Sequence, residues 1–307
     1  MTLLEQINER FPVRKTARQK ESFRHWVMEQ MAAMGYTAQV EQNDKGRQQN
    51  VIAGDPDAAE MIIGAHYDTP ATILLPDLQI PRNFPVYLLW QVVLIGGMLL
   101  LSLAVGAGVG LLTKSGDLMI LAFFLAFIGL MWLQLCGFAN RHNANDNTSG
   151  VAALLETMAR IPEEDRSKVA FILFDNCEKG RKGAKAFAAD HLQVQHTRLV
   201  VSLDSVGVGE HMLVMASSLA KQLPGYEALR LAMEADDART AHFHSSVTTR
   251  CNSDFRAFKC GVGVMACRQL SGVGLYLGDL HTARDTDADQ QNIAWLAGAL
   301  ERCIRNL

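Results

Sequence analysis

Apolar and polar positions alternate along most of this chain, with a period that switches repeatedly between helix and strand. Residues 14–35 place Phe23, Val27, Met31 and Met34 at helical spacing with charged residues between them, which predicts an amphipathic helix ended by Gly35. Short strands are expected at Thr37–Glu41, Asn50–Ala53 and Glu60–Ala65. Gly150–Arg160 has Val151, Leu154, Leu155 and Met158 on one helical face, and Lys168–Phe174 (KVAFILF) is a continuous apolar run of the kind found in strands buried on both faces. A helix near Gly180–Asp190, strands at Arg198–Leu203 and Met212–Met215, a helix over Leu219–Ala235, a strand at Val262–Cys267 and a helix over Asn292–Ile304 complete the pattern. Buried strands alternating with helices predict an α/β sandwich.

Two windows break this rhythm. Val86–Leu112 and Leu118–Phe138 run 27 and 21 residues without a charge, and about 20 apolar residues suffice to cross a bilayer core. Only TKSGD separates them, so a tight antiparallel transmembrane hairpin is expected, with Gly96, Gly97, Gly106, Gly108 and Gly110 allowing close approach. Tyr87, Trp90 and Trp132 suit the membrane interfaces. The hairpin is an insertion (81–141) between an N-terminal part (1–80) and a C-terminal part (142–307) of one domain. It returns the chain to one side, where Arg82 and Arg141 flank it, against Lys114 in the turn. The positive-inside rule therefore places the domain in the cytoplasm of a cell-membrane protein. The first residues, MTLLEQINERFPVRK, carry charge where a secretory leader would be apolar.

Composition narrows the function. The 307 residues hold 29 Lys+Arg against 32 Asp+Glu, a net charge of −3, which argues against a nucleic-acid partner. Six cysteines, none at CxxC spacing, make no disulfide framework and fit a reducing compartment.

In α/β folds, sites form at the carboxyl ends of strands. His66-Tyr67-Asp68 follows Glu60–Ala65, Asn145-Asp146-Asn147 precedes the Gly150 helix, Asp175-Asn176-Cys177-Glu178 follows Lys168–Phe174, Asp204 follows Arg198–Leu203, and His281 lies beyond Leu275–Leu277. Singly, each reads as a cap or a surface residue. Jointly, imidazoles and carboxylates at successive element ends point to a hydrolytic metal centre.

The segments GAHYDT (64–69), NANDNTSGVAALLE (143–156), FDNCEKGRKGAKAF (174–187), SLDSVG (202–207) and LHTARDT (280–286) resemble the co-catalytic di-zinc aminopeptidases, a family that includes glutaminyl cyclases and glutamate carboxypeptidases. The resemblance covers most of residues 50–290 outside the insertion. It implies a three-layer α/β/α sandwich with a mixed sheet, two Zn²⁺ ions, and hydrolysis of N-terminal residues of peptides by a di-metal-activated water. It further implies that His66 and Asp204 hold one zinc, that Glu178 and His281 hold the other, that Asp146 bridges them, and that Asp68 orients His66.

One position departs from the family pattern Glu-Glu-x-Gly-x-x-Gly. Cys177 stands where the general-base Glu belongs, followed by Glu178. A thiol near zinc tends to coordinate rather than shuttle protons. Two readings stay open: a membrane-anchored aminopeptidase whose base is supplied otherwise, Asp175 being nearby but in the wrong register, and a catalytically impaired pseudoenzyme that binds peptides as a scaffold. In either, a peptide or peptide-like molecule reaches the site near the cytoplasmic membrane face. His244 is a candidate pocket residue and Arg284 a candidate contact for a substrate terminus, although Arg284 and Asp285 also read as a solvated pair. The spacing of Cys251, Cys260 and Cys267 fits no usual zinc motif.

Overall fold

The computed structural model describes residues 1–73 and 78–307. Its centre is a mixed sheet, formed in chain order by β1 (Ala38–Asn43), β2 (Gln48–Ala53), β3 (Met61–His66), β4 (Val169–Phe174), β5 (Leu199–Leu203), β6 (His211–Ala216), β7 (Thr240–Ser245), β8 (Gly261–Leu270) and β9 (Gly274–Tyr276). The spatial order is β1-β2-β4-β3-β5-β8-β6-β7, with β9 antiparallel on the end of β8. The four central strands β4, β3, β5 and β8 are mutually parallel, so β3, β4 and β5 end at the same edge.

The two-residue period of a strand sorts side chains between two cores. Met61, Ile63, Ala65, Phe171, Leu173, Val201 and Leu203 enter one core. It is covered by α1 (Leu3–Arg10), α2 (Ala17–Ala33), α5 (Gly150–Arg160), α8 (Pro224–Glu234) and α9 (Gln290–Arg305). Ile62, Ala170, Ile172, Phe174 and Val200 enter the other, beneath α6 (Lys182–Asp190) and α7 (Leu192–Thr197). The result is the expected three-layer arrangement. The helix expected over Leu219–Ala235 starts later, because Pro224 fits the first helical position and not an interior. The unforeseen α1 is a short helix held by a capping box between Thr2 and Glu5.

The two apolar windows become α3 (Phe84–Thr113) and α4 (Gly116–Cys136), joined by Lys114 and Ser115. Both are long and apolar enough to cross a membrane. Of their most apolar stretches, 22% is buried in α3 and none in α4, where the core helix of a soluble protein would be mostly covered. The helices touch at Gly106, where a Cβ would lie 2.8 Å from Met119 O, and at Gly110, where it would lie 2.9 Å from Met119 Cβ. Gly96, Gly97 and Gly108 face open space, so only part of the glycine series serves close packing.

The feet of the pair zip together on the domain. Ala71 and Ala139 form a β-bridge, Thr72 N–H donates to Phe138 O at 2.6 Å and Asn140 N–H to Pro70 O at 3.0 Å. Lys15 Nζ donates to Gly137 O at 3.0 Å, and the Arg250 guanidinium lies 3.8 Å over the Phe84 ring.

Candidate metal centre

His66 is the last residue of β3, and Asp204 follows β5 directly. Phe174 ends β4, and a turn through Asn176 (φ 54°) brings Glu178 back over the same edge. Asp146 lies in a kinked segment, Ala144–Ser149, that leads into α5; the backbone at Asp146 and Asn147 is not helical, and the peptide between them is cis. Gly150 must lack a side chain, because a Cβ would run into Asn147 and lie 2.5 Å from Leu203 O. His281 comes from the loop after β9, held where Ile73 N–H donates to His281 O at 3.0 Å.

These five side chains converge. His66, Asp146 and Asp204 offer ligand atoms within 4.8 Å of one another, and so do Asp146, Glu178 and His281. Asp146 belongs to both triplets. Its Oδ1 is 3.3 Å from His66 Nε2, and its Oδ2 is 2.8 Å from His281 Nε2. His66 Nε2 is 4.0 Å from Asp204 Oδ1, and His281 Nε2 is 3.6 Å from Glu178 Oε1. The first triplet is buried, while Glu178 and His281 are partly open to a cavity.

Three polar residues fix this geometry. Asp68 lies 3.5 Å from His66 Nδ1 and accepts the backbone N–H groups of Cys177 at 2.9 Å and Glu178 at 3.1 Å. It therefore orients an imidazole and the loop of the neighbouring triplet together. The Asn147 amide donates to Leu203 O at 2.9 Å and accepts from Ser205 N–H at 3.1 Å, which ties the Asp146 segment to the end of β5. Asp285 accepts the N–H groups of Asn145 at 2.8 Å and Asp146 at 3.1 Å. The solvated-pair reading of Arg284 and Asp285 thus fails for Asp285, which is 4% exposed. Arg284 does face solvent, paired with Asp279 at 2.9 Å.

The charge balance calls for a cation. Burial pushes Glu178 up to about 8 and Asp285 up to about 7, each helped by Asp146. Burial would lower His66, but Asp146, Asp68 and Asp204 outweigh it and hold the imidazole well above its ordinary value. Asp146 Oδ1 is buried without a hydrogen bond among the described residues. Imidazole nitrogens and carboxylate oxygens are ordinary zinc donors, and a lone buried carboxylate oxygen between two of them fits a metal ligand.

Cys177 lines the same chamber, and burial together with Asp254, Asp204, Asp68 and Glu178 pushes its thiol well up. Facing it is Asp254, fully buried, with neither carboxylate oxygen hydrogen-bonded among the described residues and its pKa pushed up by burial to about 7. Sequence reasoning passed over Asp254. Its only signal was a lone acid after Asn252-Ser253 in a turn. Asp175 points elsewhere, in a 2.6 Å ion pair with Lys20. His244 lies on β7 against Arg82, away from the chamber.

Fold and site together define an α/β protein with two triplets of side chains that could each hold a metal ion and that share one carboxylate. Residues 136–295, more than half of the chain, match the model of Peptidase family M28, and the chain belongs to that family. Among solved structures it is similar to a glutaminyl cyclase of Porphyromonas gingivalis, at 15% identity and a TM-score of 0.60, over 99% of this chain and 97% of that one. It is also similar to LapB of Legionella pneumophila (13%, 0.61, 99% and 69%) and to a Zn-dependent exopeptidase of Parabacteroides distasonis (14%, 0.57, 99% and 96%). No curated protein sequence matches the chain.

Proposed function

We propose that this chain is a membrane-anchored, zinc-dependent aminopeptidase. The observation that carries this reading is the sharing of Asp146 by two ligand triplets. His66 and Asp204 would hold one zinc, Glu178 and His281 the other, with Asp146 between. Zinc there supplies Lewis acidity that polarises a carbonyl and acidifies water.

The chain's own residues set the rest. The chamber at the ligand set is about 80 Å³, which admits a chain end and not a continuous strand of substrate. Its walls and surroundings carry the carboxyls of Asp68, Asp146, Glu178, Asp204 and Asp254, so an ammonium terminus is favoured over a carboxylate. Asp68 keeps His66 oriented. Asp254, beside Cys177, is the carboxylate placed to accept the proton that the family's Glu would take at position 177.

Membrane anchoring follows from the uncovered apolar surface of α3 and α4, which water would not tolerate. Lys15, Arg82, Arg141 and Arg250 cluster at the feet of the hairpin against Lys114 at its turn, which supports a cytoplasmic domain. Protease digestion of the domain should occur in inverted vesicles; digestion in intact cells would reverse the orientation.

A second reading rests on Cys177, whose protonated thiol is a poor base: a metal-containing pseudoenzyme that binds peptide termini. Full-length protein in detergent with zinc, tested on a panel of aminoacyl fluorogenic amides and their N-acetylated forms, separates the two. The aminopeptidase reading expects turnover of the free amines alone, abolished by chelation. Bound zinc with no turnover on any substrate selects the pseudoenzyme.

A further inference from the structure

The chamber at the candidate ligands adjoins other cavities of the fold. It meets a larger cavity of about 570 Å³ at Glu178, Asn252 and His281, which line both spaces. The far wall of that cavity is the hairpin itself: Leu94, Ile95 and Met98 from α3 and Met131 from α4, with Tyr87, Gln91 and Gln134 toward the domain end.

The depth of this wall follows from helix geometry. At 1.5 Å per residue, the 30 residues of α3 span about 45 Å and the 21 of α4 about 31 Å. The helices share the turn at Lys114 and Ser115, so the excess of α3 lies at the domain end. Gly106 packs against Met119 and Phe123, and about two turns further toward the domain Met98 and Met131 both line the cavity. The cavity therefore begins at the ligand set and ends on the inner face of the hairpin, near where α4 leaves the apolar layer. Its outer helix faces, at Val92, Leu99 and Leu100, are exposed.

We propose that this cavity receives the apolar stretch of the substrate, so that the site takes peptides whose free N-terminal residue is followed by apolar residues. This rests on the peptidase reading for the terminal residue in the small chamber. The cavity adds what that reading leaves open, the chemistry of the residues behind the terminus. An N-terminal residue enters the acidic chamber, and the following side chains lie against Leu94, Ile95, Met98 and Met131. A polar peptide of the same terminal residue gains less from the Leu94, Ile95, Met98 and Met131 part of that wall.

The test uses the full-length, zinc-loaded protein in lipid nanodiscs. Three non-cleavable probes share an N-terminal alanine with a reduced first amide bond: a dipeptide analogue, an octapeptide continued with leucine and valine, and one continued with serine and asparagine. A C-terminal dye reports binding by anisotropy, and partition into empty nanodiscs is subtracted. The apolar octapeptide should bind at least about tenfold more tightly than the polar one. Met98→Trp and Met131→Trp, which fill the cavity from different helices, should each remove most of that difference while leaving the zinc content unchanged. Equal affinity for the two octapeptides, or a preference that survives both substitutions, overturns the proposal. Affinity for the dipeptide and the apolar octapeptide that is unchanged after zinc is removed would count against the peptidase reading and leave the cavity assignment standing. Zinc-dependent binding without apolar preference would do the reverse.

Discussion

Replacing Cys177 with glutamate tests what the thiol at the base position costs. The Cys177 backbone is fixed by its N–H bond to Asp68 at 2.9 Å, and its side chain lines the chamber that all five candidate ligands share. A carboxylate there would stand where the family's general base stands, without displacing the loop that carries Glu178. Positioned general bases contribute about 10²- to 10⁴-fold. The gain is reduced here, because the new carboxylate joins Asp68, Asp204 and Asp254, and such like-charged neighbours raise a carboxyl. Asp254, raised by burial to about 7, is partly protonated near neutrality and relieves some of that repulsion by donating. The expected result for Cys177→Glu is at least about a tenfold rise in kcat, about 1.4 kcal/mol off the barrier. Aminoacyl-amide turnover is measured beside zinc content in both proteins. An unchanged rate with equal zinc would refute the missing-base reasoning.

Three further outcomes follow from the site. Asp254→Asn should lower turnover by about a hundredfold while zinc content stays at the wild-type value, because it removes the carboxylate beside the thiol and no ligand; undiminished turnover would remove Asp254 from the proton path. Zinc affinity, measured by chelator competition, should rise by about one to two powers of ten per pH unit between pH 6 and 8, because Glu178 (about 8) and the raised His66 must lose protons to bind; a flat profile would contradict this. The metal-free protein should grow less stable to heat as pH rises from about 4 to about 8. Asp254, Asp285 and Glu178 have folded pKa values above their ordinary ones of 3.8, 3.8 and 4.5, so the stability they lend is complete below those values and lost as pH rises through about 7 and about 8; a melting temperature that climbs with pH would overturn the assignment.

Much of this architecture was legible because strand ends announce themselves. KVAFILF stops at Phe174 and the next residues are polar, and the same break follows β3 and β5, so His66, Glu178 and Asp204 could be singled out from local pattern alone. Asp146 and His281 stood out only as polar residues near element ends, and the family resemblance supplied their expected roles, since neither follows a strand directly. Asp254 and Asp285 were not legible. Each is an acid in a turn, and only the approach of loops distant in sequence buries them: Asp285 against Asn145 and Asp146, Asp254 against Cys177. The apolar windows gave two helices but not which glycines meet, because facing depends on the rotation of one helix against the other. The cavity between hairpin and ligand set was equally hidden. Its walls come from seven separate stretches of chain, and no local period encodes their meeting.

Metal stoichiometry tests the central claim most directly. Full-length protein purified in detergent, equilibrated with zinc and desalted, should hold two zinc ions per chain by elemental analysis. His66→Ala and His281→Ala should each hold one, and the double variant none. A wild-type protein that binds no zinc, or single variants that both retain two, would contradict the pair of triplets joined at Asp146.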